Sequence, residues 1–159
     1  MANLGHILSL LGRQTLTIDQ PLALRQSITR HEGLRLKPYP DSTGHLTIGY
    51  GHDLTDDGIS PAIASALLTE DIQTAIDTCQ RLLSWVSSLD DVRKRAFVEI
   101  VFNLGEHILT FHDALAAAQI RDWAMCVDGL QKSLWQAQVG HRAVVLESML
   151  LTGQDPTTP

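Results

Sequence analysis

Two carboxylic acids lie nine residues apart in the stretch RHEGLRLKPYPDSTGHLTIGYGH, residues 30–52. Hydrolysis of a glycosidic bond needs one carboxyl group that protonates the leaving oxygen and an ionised one that activates water or attacks the sugar. Glu32 lies at a predicted helix end, where burial against the helical face would raise its pKa. Asp41 lies in a polar turn, where it should stay ionised. These contrasting positions make the two residues a candidate catalytic pair.

Spacing alone does not establish such a pair. Nine residues of chain span anything from direct contact to roughly 30 Å, and the chain carries eighteen acidic residues. Glu32 and Asp41 are therefore equally open to interpretation as two solvated surface charges. Thr47 lies on the segment that follows, where its hydroxyl could face the same space and hold a water molecule.

The residues around the pair predict a small sheet. Pro38 and Pro40 exclude a helix, and the sequence DSTG is typical of a turn. The alternation in residues 46–50 favours a strand. We therefore expect a hairpin or a three-stranded sheet between Glu32 and the helix that follows, with Asp41 in one of its turns.

Helices are predicted on both sides of this sheet. Asp19 can cap a helix that has Pro21 in its first turn and Gly33 just after its end. The first residues, MANLGHILSLLGRQ, follow the spacing of a short amphipathic helix and lack the basic start and cleavage site of a signal peptide.

The rest of the chain is predicted to be helical. Ser60 and Pro61 begin a long helix, and the apolar face of residues 90–105 should make that segment the most buried helix. Three further helices are expected around residues 111–119, 122–134 and 139–151. The fold class is therefore α+β, with a small sheet followed by a helical body.

Composition and isolated motifs exclude several functions. Twelve basic and eighteen acidic residues give a net charge of −6, which argues against a nucleic-acid partner. No apolar run is long enough for a membrane span. Cys79 and Cys126 have no metal-binding spacing and are expected to be small buried hydrophobes rather than a disulfide. The run VRKR, residues 92–95, is interpreted as a solvated helix face.

No cofactor or metal is predicted. The metal-ligating side chains near the pair match no compact zinc pattern. The candidates are His31, His45, His52, Asp41 and Asp53. The tryptophans Trp85, Trp123 and Trp135 are expected to be packing anchors.

Residues 31–55, HEGLRLKPYPDSTGHLTIGYGHDLT, closely resemble the signature of the phage-type lysozymes, glycoside hydrolase family 24. In that family a helix-end Glu-Gly is followed by an Asp after a Tyr and then by Thr-Ile-Gly-x-Gly-His. The resemblance runs nearly continuously from Leu22 to Gly153. Residues 88–106 look like the family's long central helix, and residues 133–153 look like its C-terminal helical pair.

The resemblance implies roles for individual residues. Glu32 would be the general acid, with Asp41 and Thr47 positioning and activating water. Inversion at the anomeric carbon is implied, with the two carboxyl groups roughly 6.5–9.5 Å apart. Substrate-binding or supporting roles are implied for Asn103, Arg142, Gly49 and Tyr50. His52 and Asp71 match a structural pair.

The implied protein is a single lysozyme-like domain over residues 1–159. It would have an extra N-terminal helix (1–18), a sheet lobe (33–60), a helical lobe (61–153) with the active-site cleft between the lobes, and a disordered tail (154–159). It would be a monomer that hydrolyses the β-1,4 bond between N-acetylmuramic acid and N-acetylglucosamine in bacterial peptidoglycan. It would stay in the host cytoplasm until a holin releases it to the periplasm and cell wall, or be associated with the virion.

Departures from the family pattern leave two alternatives open. The segment between His52 and Ser60 is short, Val139-Gly140-His141 replaces the usual Thr-Pro-Asn, and the net charge is acidic. A catalytically silent wall-binding or virion-structural module of the same fold is one alternative. A lytic transglycosylase that uses Glu32 alone is the other.

Overall fold

A computed structural model of the protein describes residues 20–156. Within this range the chain forms two compact units, which divide between Ile59 and Ser60. The predicted helix of residues 1–18, the capping residue Asp19 and residues 157–159 of the predicted tail lie outside the described part. No helix in residues 20–156 is both long and apolar enough to cross a membrane.

The first unit is one helix followed by a three-stranded antiparallel sheet. Helix α1 spans Pro21–Glu32, and the strands are β1 (Arg35–Pro40), β2 (Leu46–Gly49) and β3 (His52–Asp53). The spatial order is β1-β2-β3, which leaves β1 at an edge. An edge is where a strand tolerates proline, which has no N–H for a neighbouring strand. The predicted sheet is thereby confirmed as three-stranded.

Strand register places Thr47 in the middle of the sheet. Thr47 pairs with Tyr39 on β1 and with Asp53 on β3. Thr47 is also the buried residue of β2, whereas β1 has no buried position. The most buried side chain of these two strands is therefore that of Thr47, which carries a hydroxyl group.

The second unit contains the other helices. The Ser60 hydroxyl accepts a hydrogen bond from the Ile63 N–H at 3.3 Å, which confirms the predicted helix start. The helices are α2 (Pro61–Leu82), α3 (Asp91–Leu104), α4 (His112–Gln119), α5 (Trp123–Gln131), α6 (Leu134–Val139) and α7 (His141–Thr152), with 3₁₀ turns at Ser84–Ser88 and Gly105–Thr110. Helix α2 is the longest of these helices. The resemblance implies that residues 88–106 are the family's long central helix, whereas in the structure the longest helix lies before that segment.

Helices α3 and α7 each contribute more residues to the core of this unit than any other element. Buried residues of α3 are Ala96, Phe97, Ile100 and Val101, and those of α7 are Ala143, Leu146, Glu147, Met149 and Leu150. The expectation that residues 90–105 form the most buried helix is therefore wrong, because α7 is shorter and buries one residue more. Both helices present a wide apolar face, so they share the centre of the unit.

The helix predicted over residues 122–134 ends at Gln131 instead. The Ser133 N–H and hydroxyl both bond to the Leu130 carbonyl, at 3.1 and 2.5 Å, which closes the helix. The chain then forms the short α6, and α6 and α7 together are the helical pair that the resemblance implies for residues 133–153. Gly140, with φ +57°, separates α6 from α7.

Arg93 contradicts the interpretation of residues 92–95 as a solvated face. Its side chain is 16% exposed. Its Nε and Nη2 atoms donate to the carbonyls of Leu150 and Leu151 at 2.7 and 3.2 Å. Its guanidinium also lies 4.5 Å from the centre of the Trp123 ring. Arg93 therefore ties α3 to the last turn of α7 and satisfies carbonyls that a helix end leaves free.

Both cysteines are free and buried, as the sequence predicts. Burial raises the pKa of the Cys79 thiol. Burial, with a smaller effect of Asp122, raises the pKa of Cys126 to about 11. Trp135 is fully buried, and Trp85 packs edge-on against Phe97 with ring centres 5.2 Å apart. The tryptophans are packing anchors, as expected.

Candidate active site

Asp41 opens the turn between β1 and β2 and is held there by three hydrogen bonds. Its Oδ1 accepts from the backbone N–H of Thr43 at 2.8 Å, the Thr43 hydroxyl at 2.8 Å and the His45 N–H at 2.9 Å. The bond from the Thr43 hydroxyl has the largest effect and lowers the pKa of Asp41. Desolvation has the next largest effect and raises it, and the backbone N–H groups of Thr43, His45 and Gly44 lower it further, so that the net shift is downward. The expected ionised carboxylate is therefore supported by the turn itself.

Thr47 is brought to the same place through a shared acceptor. Its hydroxyl donates to the His45 carbonyl at 3.3 Å, and the Asp41 N–H donates to that carbonyl at 2.9 Å. A hydroxyl that donates in this way keeps its lone pairs for a water molecule. Asp41 and Thr47 thus form one hydrogen-bonded group centred on His45.

Glu32 is the last residue of α1, and its side chain reaches the turn after β2. One carboxyl oxygen, Oε2, lies 3.5 Å from the point that a Cβ on Gly51 would occupy. Glu32 is exposed, and no residue of α1 is buried. The expected burial of Glu32 against the helical face is therefore wrong, because α1 has no buried face to offer.

The turn that Glu32 contacts is built on glycines. Gly49 and Gly51 have φ values of +71° and +84°, a backbone conformation that L side chains rarely adopt. The exposed Tyr50 lies between them. The implied supporting residues Gly49 and Tyr50 therefore belong to the same turn as the contact with Glu32.

Replacing Gly51 with alanine is expected to destabilise the protein by about 1–2 kcal/mol, because the φ of +84° at Gly51 is strained for an L residue. The added Cβ would lie 3.5 Å from Glu32 Oε2, an ordinary van der Waals distance, so the Glu32 carboxyl group can stay in place. Thermal unfolding measures this loss of stability. Gly58→Ala is the matched control, because Gly58 also has a positive φ, but no atom lies within 4 Å of the point that its Cβ would occupy. A loss of stability in Gly51→Ala far larger than in Gly58→Ala would show that the approach to Glu32, rather than the backbone strain, sets the cost.

His45 forms an ion pair that sequence reasoning missed. Its Nδ1 lies 2.9 Å from Asp53 Oδ2 and 3.7 Å from Asp56 Oδ2. The hydrogen bond with Asp53 raises the pKa of His45 and lowers that of Asp53. One feature of the sequence bears on this ion pair. If the segments around residues 47 and 53 pair as antiparallel strands, Asp53 lies opposite Thr47, which is two positions from His45.

The side chains considered as metal ligands are only partly brought together. Among residues 20–156, the ligand atoms of His45, Asp53 and Asp56 lie within 4.8 Å of one another. His31, His52 and Asp41 are not in that group. The 2.9 Å separation of His45 and Asp53 is that of a charge-assisted hydrogen bond.

The remaining candidate residues are distributed over both units. His52 Nε2 hydrogen-bonds to the Gly58 carbonyl within the first unit. Its implied partner Asp71 lies on α2 in the second unit, so that pairing stays a prediction. Arg142, exposed in the first turn of α7, also belongs to the second unit, and its implied pairing with Glu32 stays a prediction.

Asn103 is fixed by a buried tryptophan of the same unit. Its Oδ1 accepts a hydrogen bond from Trp135 Nε1 at 2.8 Å. Trp135 also lines a groove of about 540 Å³, together with Phe111, Lys132 and Gln138. The bond leaves the two N–H groups of the Asn103 amide to other partners. The sequence does not predict this groove, because its lining residues come from separate elements.

Comparisons with known proteins show which proteins this chain is similar to. The family model described as phage lysozyme matches residues 29–148. The chain is 27% identical over 161 residues to probable T4-type lysozyme 1 of Dictyostelium discoideum, covering 82% of this chain and 95% of the relative. It is 31% identical over 117 residues to the endolysin of Salmonella phage P22, covering 69% and 77%. It is 26% identical over 167 residues to the pre-baseplate central spike protein of Enterobacteria phage T4, covering 86% of this chain but 29% of that protein.

Proposed function

Because the chain belongs to the phage lysozyme family, we propose that it is an endolysin-type muramidase. The proposed reaction is hydrolysis of the β-1,4 bond between N-acetylmuramic acid and N-acetylglucosamine in peptidoglycan. The observation that carries this proposal is the hydrogen-bonded group of Asp41 and Thr47 on the His45 carbonyl. An ionised carboxylate that activates water is one of the two acids that an inverting glycosidase needs.

In the proposed mechanism, Glu32 gives its proton to the glycosidic oxygen as the bond from that oxygen to the anomeric carbon breaks. A water molecule bound by Asp41 and Thr47 attacks the anomeric carbon from the opposite face. Asp41 takes the proton that the water loses, and solvent returns both acids to their starting states. The product has a reducing muramic acid end and inverted configuration.

The surrounding residues support parts of this mechanism. The lowered pKa of Asp41 favours the form that accepts a proton from water. The hydrogen bond from the Thr47 hydroxyl to the His45 carbonyl sets the direction in which that hydroxyl donates. In the second unit, we propose that the Asn103 amide and the groove beside Trp135 contact the sugar chain.

The proposed setting is lysis of a bacterial host by a monomeric enzyme that a holin releases to the wall. The similarity to the endolysin of phage P22 supports this setting. The similarity to a spike protein favours a second candidate, a virion-associated lysin or a binding module of the same fold. The binding module differs from both lysins in that the isolated protein would not turn over peptidoglycan.

Analysis of the products tests the proposed reaction. Purified peptidoglycan is digested with the protein, soluble fragments are identified by mass spectrometry, and the new anomeric centre is followed by proton NMR at early times. We expect reducing muramic acid ends with α configuration. Anhydro-muramic acid ends would show a transglycosylase instead. Binding to the wall without soluble fragments would show a binding module.

A further inference from the structure

We infer that His45 and Asp53 form a positioning pair that holds Asp41 and Thr47 in their working geometry. This inference rests on the proposed function, because it assigns the pair to the hydrolytic site. Neither side chain needs to touch the substrate. The pair acts through the backbone of His45, to which both Asp41 and Thr47 are bonded.

The backbone of His45 makes three hydrogen bonds to the two candidate catalytic residues. Its N–H donates to Asp41 Oδ1 at 2.9 Å. Its carbonyl accepts from the Asp41 N–H at 2.9 Å and from the Thr47 hydroxyl at 3.3 Å. A displacement of His45 would therefore move the carboxylate and the hydroxyl together.

The side chain of His45 is anchored to a carboxylate that is itself fixed. Asp53 Oδ2 bonds to His45 Nδ1, while Asp53 Oδ1 accepts from the N–H groups of Thr55 and Asp56 at 2.7 and 3.2 Å. The Thr55 hydroxyl accepts from the Leu46 N–H at 2.9 Å. Residues 53–56 thus hold the His45 side chain through Asp53 and the Leu46 N–H through the Thr55 hydroxyl.

Charge strengthens this anchor over a defined pH range. The groups that face His45 are Asp53, Asp56 and Asp41, which are all acidic. The pKa of His45 is raised, so its charged form adds stabilisation below 6.5 that is lost as the pH rises through the raised value. The pKa of Asp53 is lowered, so its contribution is present above 3.8 and is lost as the pH falls through the lowered value.

A positioning role differs measurably from a structural one. The side chains of His45 and Asp53 are 42% and 28% exposed, and partly exposed ion pairs add little to global stability. Loss of the pair should therefore change kcat much more than the melting temperature. A purely structural pair would change the melting temperature and leave the kcat of the folded protein unaltered.

The test uses the full chain with His45→Gln, Asp53→Asn and the double variant on soluble peptidoglycan fragments. Each single variant is expected to lower kcat roughly five- to thirtyfold with little change in KM, because misplaced groups slow the reaction without loosening the substrate. The double variant should lose little more, since the two residues act as a unit. An alkaline limb set by His45 should disappear from the pH profile of His45→Gln.

Asp57→Asn is the matched control, because Asp57 is exposed in the same loop and its replacement removes the same charge. It should retain the wild-type kcat. Variants of the pair that stay within twofold of wild type at every pH, or an Asp57 variant that falls as far as Asp53→Asn, would overturn the positioning role alone. A wild-type protein without turnover would overturn the proposed function, and the role with it.

Discussion

Glu32→Gln is expected to lower kcat by roughly a thousandfold or more, which is within the range for loss of a general acid. Glutamine keeps the length of the side chain and its approach to Gly51, where the carboxyl group now lies. It has no proton to give to the leaving oxygen. The measurement is the rate at which reducing ends are released from purified peptidoglycan, with KM determined in parallel.

The control for this variant is Glu99→Gln, which makes the same change at an exposed position of α3. It should leave the rate unchanged. A Glu32→Gln protein that kept more than a tenth of the wild-type kcat would mean that another group protonates the sugar oxygen. Unchanged thermal unfolding of the variant would show that its loss of rate is chemical.

Asp41→Asn is expected to lower kcat roughly a hundredfold. The amide oxygen of asparagine can accept the same three bonds that Asp41 Oδ1 accepts from Thr43 and His45. The turn should therefore persist while the charge and the ability to take a proton are lost. Release of reducing ends measures the rate, and circular dichroism with thermal unfolding checks that the fold is kept.

The pH dependence provides a sharper test of the same carboxylate. The pKa of Asp41 is lowered, so its ionised form should persist as the pH falls below the ordinary value of 3.8. The Thr43 hydroxyl is the largest cause, so Thr43→Val should move the acid limb of kcat/KM to higher pH. Ser42→Ala, in the same turn, should not move it. An unaltered acid limb in Thr43→Val would assign that limb to another group.

The sheet and the candidate residues were predictable because they depend on local chemistry. Two prolines as close as Pro38 and Pro40 cannot both lie within the interior of a helix, and the alternation of residues 46–50 needs only a neighbouring strand. The resemblance of residues 31–55 to a family signature identified Glu32, Asp41 and Thr47 by spacing. Their spacing in the sequence does not specify which atoms these residues contact.

Contacts between distant elements account for the differences. The exposure of Glu32 depends on what packs against α1, and no pattern within that helix specifies it. The pairing of His45 with Asp53 follows from the register of β2 and β3. Arg93 belongs to a charged run that is typical of a solvent-exposed helix face. The carbonyls that it binds belong to residues 57 and 58 positions later in the chain, so the local pattern does not predict these bonds.

The edges of the sheet bear on behaviour at high concentration. A sheet edge with free backbone donors can recruit a strand from another molecule, which is a common start of aggregation. In β1, Pro38 and Pro40 supply no N–H, and the opposite edge strand, His52–Asp53, is two residues long. Neither edge offers a long, uninterrupted row of backbone hydrogen-bonding groups to a strand of another molecule. Copies of this chain can therefore accumulate side by side with little tendency to join through their sheets.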